Sequence, residues 1–219
     1  MVVAAVQNAT QFLALLPIEP EEHHIDASVA TALLFAVVVL PPLVRVRMMY
    51  TACWLVFAIT SLVTESKAAI GIATSMGITV MIGWYTLRVM DRYAFTAVLN
   101  GWLGSWSKSK MLGIVARAGD LAIHFVFPIA LLVFFLPHVR AWMCIPALIS
   151  SRLWSRFVVG ESGFPKADHV YRFVPPRSQH FWNTAYRMEL VLNVLVPCCC
   201  HLVHHSGLYD QLADGLIQS

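Results

Sequence analysis

Charge is what this chain has least of. Lysine, arginine, aspartate and glutamate make up 12% of its 219 residues, where soluble domains carry roughly 25%. That leaves too little polar surface to coat a water-soluble globule of this size. The basic residues form no dense run and the net charge is only +3, which excludes a nucleic-acid footprint. There is no glycine-rich phosphate loop and no His-Glu-x-x-His pair. Cysteine is sparse and odd in number, five in all. Such a count, mostly inside apolar segments, does not suggest a secreted disulfide framework, and Cys198-Cys199-Cys200 reads as small apolar helix text, or as an acylation site if it lies at a membrane edge. Residues 1–17 are apolar but lack the basic start and cleavage site of a secretory signal. A short helix at or in the membrane is expected there.

What the chain does have is oil in blocks. Hydrophobic residues make up 58% of it and the mean hydropathy is +0.69. A spanning helix needs about 20 mainly apolar residues. Windows at 27–44, 48–64, 68–87, 121–139 and 190–209 meet or approach that length, with Pro41-Pro42, Pro128 and Pro197 inside three of them. Two weaker segments lie at 93–106 and 141–151; the second covers only about 16 Å as a helix. The expected fold is all-α: one integral membrane domain, a polytopic transmembrane helix bundle with five to seven membrane segments, and mostly extramembrane loop over 152–189.

Loop charge orients such a chain, with basic loops on the cytosolic side. An acidic N-terminal flank, then Arg45 and Arg47, then the self-cancelling Glu65 and Lys67 place the N-terminus outside. The stretches 88–120 and 152–189 are both basic, yet one strong window separates them. Either 141–151 brings the chain back, or 93–106 is inserted.

Polar groups at membrane depth are costly and mark candidate sites. Asp120 and His124 stand four apart and so share a helix face. They fit an oriented general base, or a helix cap with a locally bonded imidazole. His201, His204 and His205 form a second group, with His201 and His205 on one face. Together with Asp120 and His124 they could make a zinc site on facing helices; the favoured expectation holds no bound metal or cofactor. Glu65, Ser66 and Lys67 read as helix caps in a tight turn. Glu189 and Asn193, again four apart, line a polar cavity or bond to another helix. The stretch 175–187 is the most distinctive text. Phe181, Trp182 and Tyr186 form an aromatic face beside Asn183, while Arg177 and Arg187 suit anionic headgroups or the phosphates of an acyl carrier. The alternative is an interfacial aromatic and basic belt.

Here the chain resembles the wax synthase-like branch of the membrane-bound O-acyltransferases. That family carries a Ser-x-x-x-Phe-Trp-x-x-x-Trp-His type motif after a proline-rich approach. Ser178, Phe181 and Trp182 fit it, Tyr186 takes the second aromatic place, and Arg187 stands where the histidine belongs. Pro41-Pro42 with Arg45 and Arg47, Ile70 to Ala73, and the Leu87 to Arg92 exit are similar in layout. The family's late Ser-Gly-x-x-His element is matched by Ser206-Gly207-Leu208-Tyr209, with Asp210 in the histidine's place and His201, His204 and His205 close by. The resemblance implies transfer of an acyl group from acyl-CoA, a co-substrate, to a lipophilic alcohol. It implies a multi-pass membrane location, such as the endoplasmic reticulum, with lipids and a hydrophobic small molecule as partners and no nucleic acid. The other readings are a metal-dependent lipid hydrolase, a membrane terpene-type cyclase driven by acidic residues, and a non-catalytic subunit of a membrane complex.

Overall fold

The computed structural model describes residues 22–43, 50–90, 92, 96, 110–159 and 179–207. Every regular element among them is helical. Helix α1 (Glu22–Leu34) continues through a π turn (Phe35–Val39) into α2 (Leu40–Leu43). Then come α3 (Tyr50–Thr64) and α4 (Lys67–Met90). Helix α5 (Lys110–Leu121) passes through a second π turn (Ala122–Val126) into α6 (Phe127–Phe135) and a 3-10 turn (Leu136–His138). Another 3-10 turn (Ala141–Met143) opens α7 (Cys144–Val159), and α8 (Gln179–His205) is last. The expected segments at 1–17 and 93–106 lie outside the described residues, apart from Thr96.

Both π turns precede prolines. A prolyl ring lacks an N–H and crowds the carbonyl four residues back, and a widened turn relieves that crowding. Ahead of Pro41-Pro42, the Leu40 N–H donates to the Phe35 carbonyl; ahead of Pro128, the Phe127 N–H donates to the Ala122 carbonyl. Each bond reaches one residue further back than an α-helical one. Pro197 stays inside α8 with no such break in its helical assignment.

The helices form six rods of alternating direction. Asp26 near the start of α1 bonds to Ser66 and Ala68 at the start of α4, so these two rods run in parallel. Trp84 near the end of α4 stacks on His124, whereas Gly71 near its start abuts His138 and Met143. The rod of α5 and α6 therefore runs back along α4. Helix α7 then leaves Met143 and carries Trp154 to Tyr50, at the start of α3. Helix α8 begins near Ser151, which Glu189 meets, and returns. One extremity of the bundle is thus the Ser66 end and the other the Thr51 end. Of the two routes the loop charges allow, the segment at 93–106 lies outside the described residues apart from Thr96, and helix α7 runs back from His138 toward the Thr51 end. That helix runs on to Val159, and α8 starts at Gln179, so helix covers both flanks of the stretch expected to be loop.

Helix α4 is the axis of the bundle. Residues 68 to 79 are buried without interruption. Of its most apolar window, 67% is buried, against 22% in Gly113–His138 and in Arg187–His205. Small residues allow this, since they let backbones approach where lipid offers no hydrophobic drive. A Cβ on Gly71 would collide with the His138 carbonyl and lie 2.7 Å from the Met143 sulfur; one on Gly77 would lie 2.7 Å from the Trp54 ring. Trp54 also donates its indole N–H to the Ala73 carbonyl at 2.8 Å. Leu34, Phe57, Ile72 and Met76 fill the core around this contact.

The start of α4 is capped across the bundle. Ser66 Oγ accepts the Ala69 N–H at 3.1 Å and donates to Asp26 Oδ1 at 2.5 Å, while Asp26 Oδ2 accepts the Ala68 N–H at 2.9 Å. Two of the orphan N–H groups of a helix start are satisfied in this way. The expected cap at Ser66 is present, with a partner from another rod.

Three helices are long and apolar enough to cross a membrane: Lys67–Met90, Gly113–His138 and Arg187–His205. They correspond to the windows at 68–87, 121–139 and 190–209. The other two windows yield shorter apolar helices, Ile25–Val39 and Tyr50–Thr64.

Candidate functional site

The π turn ahead of Pro128 carries His124, which is 5% exposed. Three residues contact its ring. Trp84 stacks on it with centroids 4.4 Å apart and planes 13° from parallel. Nδ1 lies 3.1 Å from the Asp120 carbonyl oxygen and 3.0 Å from Asp120 Oδ1. Only the carbonyl has hydrogen-bond geometry, because Oδ1 has no bonded partner among the described residues. Two oxygens at Nδ1 assign the proton to that nitrogen. Nε2 then keeps its lone pair, which faces the Thr51 hydroxyl at 3.4 Å. The pair expected from i, i+4 spacing is present, and a third member comes from another helix.

A second polar group lies at the same end. Ser151 on α7 donates to Glu189 on α8 at 2.6 Å. The Tyr50 ring packs edge-on against Trp154, 5.3 Å away. Its hydroxyl closes no hydrogen bond among the described residues. One turn beyond Glu189, Asn193 is 1% exposed, with neither Oδ1 nor Nδ2 partnered among the described residues.

The late histidines occupy the other extremity. His201 and His205 have ring centroids 4.2 Å apart, and His204 and His205 5.5 Å. The charges of Lys67, Arg140 and His204 act on His138 there. Trp84 lies 17 residues beyond Lys67 on α4, which is about 26 Å of helix. The structure therefore does not bring Asp120 and His124 together with His201 and His205, and a zinc site shared by all four is ruled out by distance. Among the described residues, no group of three or more His, Cys, Asp or Glu side chains is placed to hold a metal ion.

The motif text divides likewise. Residues 181, 182, 183 and 186 occupy the opening turns of α8, with side chains outside the described set, and Arg177 lies outside it altogether. Arg187 is exposed. These turns belong to the Thr51 end. Residue 201 follows Trp182 by 19 positions, about 28 Å along the helix, so the late histidines and the Phe-Trp text do not converge. Asp120 and His124 share the end where α8 begins.

Thr51, Trp84, Ser151 and Tyr50 carry no sequence signal as site residues. Each sits in or beside an apolar helix, and only the packing of separate rods joins them. The one available cue was Pro128, four residues after His124, which opens the turn that holds the imidazole. No family model matches the chain, and neither a curated protein nor a solved structure does.

Proposed function

We propose that the chain is a multi-pass integral membrane enzyme that moves an acyl group from acyl-CoA to a lipophilic alcohol, with His124 as the general base. The observation that carries this reading is the buried imidazole with Nδ1 turned to Asp120 and its Nε2 lone pair turned to a hydroxyl. An alcohol brought to Nε2 loses its proton as it attacks the acyl carbonyl. Asp120 orients the ring and stabilises the imidazolium that forms. Apolar surroundings exclude the water that would otherwise take the acyl group.

In this reading all six rods cross the bilayer and the Thr51 end faces the cytosol, where acyl-CoA is found. Two features support that orientation. The basic stretches 88–120 and 152–189 both adjoin this end, and cationic loops draw in the phosphates of CoA. The resemblance in the Phe181-Trp182 text lies at the same end. The late histidines are structural.

The test is transfer of labelled acyl chain from acyl-CoA to a long-chain alcohol by the purified protein in detergent. His124→Ala is expected to lower the rate by roughly 10²–10⁴-fold, the usual worth of a positioned base, and Asp120→Asn by a smaller factor. The triple variant of His201, His204 and His205 to Ala is expected to keep the wild-type rate. Undiminished transfer by His124→Ala would sink the proposal. Loss in a folded triple variant would move the base to the Ser66 end.

A further inference from the structure

We infer that Thr51 is a nucleophile: it takes the acyl group as an oxygen ester and passes it to the alcohol. The inference rests on the acyl-transfer reading above and adds a covalent intermediate to it.

The first ground is what hydroxyls elsewhere in the bundle do. Thr31, Thr60, Ser61, Thr64, Thr74 and Ser150 each donate to a carbonyl three or four residues back on their own helix. That is the ordinary fate of a helical serine or threonine in an apolar setting. The Thr51 hydroxyl instead reaches the Nε2 of an imidazole 73 positions away in sequence. Thr51 is the second residue of α3, so no residue of that helix lies three or four positions behind it, and the hydroxyl's partner comes from another rod.

The second ground is the order of the groups. Thr51 Oγ1, His124 and Asp120 form a series of nucleophile, base and orienter, supplied by two separate rods. This is the pattern by which a weak oxygen nucleophile is activated, and it is recognised by geometry rather than by chain order. The 3.4 Å separation is the looser spacing usual before substrate arrives. The imidazole cannot swing away, because Trp84 stacks on one face and Asp120 holds Nδ1. The third ground is occupancy. The Thr51 hydroxyl stands at the Nε2 lone pair, where a directly attacking alcohol would have to sit. Direct transfer must displace it, whereas a double displacement uses it.

The steps balance without an outside reagent. Thr51 Oγ attacks the thioester carbonyl while Nε2 takes its proton. The C–S bond breaks, and the imidazolium returns that proton to the CoA sulfur, leaving an acyl ester on Thr51. The alcohol then gives its proton to Nε2 and attacks the ester carbonyl. The bond from carbonyl carbon to Thr51 Oγ breaks, and the proton goes back to Thr51. Nothing is oxidised or reduced.

The experiment uses the full chain in detergent, mixed with labelled acyl-CoA and no alcohol, quenched in acid and digested. A label is expected on the peptide holding Thr51, with one CoA released per chain. It should resist neutral hydroxylamine, which strips thioesters from cysteines such as the nearby Cys53. Added alcohol should discharge it as ester. Thr51→Val is expected to lose both label and transfer, by about 10³-fold or more, while Thr51→Ser keeps both and so shows that the site tolerates substitution. Wild-type protein that transfers acyl groups yet never carries a label on Thr51 overturns the intermediate and leaves the acyl-transfer reading standing. Full transfer by Thr51→Val does the same. Wild-type protein that takes no acyl group from acyl-CoA removes the reading and this inference together.

Discussion

At the scale of single residues, the Thr51 end carries polar groups that another rod completes, such as Glu189 and His124, whereas Asn193 is left incomplete at its amide. It is 1% exposed, and both polar atoms of its amide lack partners among the described residues. A buried, unpaired polar group costs about 1–3 kcal/mol. Glu189, one turn earlier, avoids that cost through Ser151. Asn193→Leu, which keeps the same branched skeleton of side-chain heavy atoms, is therefore expected to raise stability by about 1 kcal/mol, read as a higher midpoint of thermal unfolding in detergent. A lower midpoint would mean that the amide has a partner beyond the described residues. Spacing alone put Glu189 and Asn193 on one face and Asp120 beside His124, because i, i+4 geometry is local. It could not put Ser151 against Glu189 or Thr51 against His124, since those contacts depend on how separate helices pack.

At the scale of elements, the axis helix α4 shows how a single glycine can be structural in one place and incidental in another. Gly71 sits against the backbone carbonyl of His138, which cannot retreat without moving the end of its rod. Gly83 has only the end of the Met188 side chain, 3.9 Å from its would-be Cβ. Gly71→Ala is expected to cost about 1–3 kcal/mol through overpacking. Gly83→Ala is expected to be neutral or to gain up to about 1 kcal/mol from helix propensity. Unfolding midpoints of the two variants in the same detergent test this, and equal effects would contradict the close approach of α4 to the 3-10 turn at His138. The three long windows were legible because a helix that faces lipid or is buried in the middle of a bundle is apolar over its whole length. The tight helix crossings were not, since glycine looks the same in sequence whichever neighbour it admits. Pro128 is accommodated by a π turn, because one wider turn relieves the prolyl clash without breaking the rod. The cap of α4 joins Asp26 to Ser66 across 40 residues, and no local pattern reports such a pairing.

At the scale of the whole molecule, the alternating rods give a direction to charge that was ambiguous in the sequence. Loop counting failed after His138 because residues 141–151 are too short to cross by themselves. The helix there is longer than its apolar text: it continues through Arg152 and Arg156 to Val159, and its far part packs by Trp154 against Tyr50. Long cationic side chains near a helix end can keep their charge at the interface while their stems stay buried. The proposed orientation then has a direct consequence for labelling. Lys67 and His205 are exposed at the Ser66 end, Arg88 and Arg156 at the Thr51 end. In a variant whose five native cysteines are replaced by serine or alanine, a membrane-impermeant maleimide applied to sealed vesicles should separate these positions cleanly. Arg88→Cys and Arg156→Cys should react from the cytosolic face alone, Lys67→Cys and His205→Cys from the opposite face alone. Reaction of all four from one side would mean that the rods do not cross the bilayer in the order their directions imply, and the cytosolic placement of His124 would fall with it.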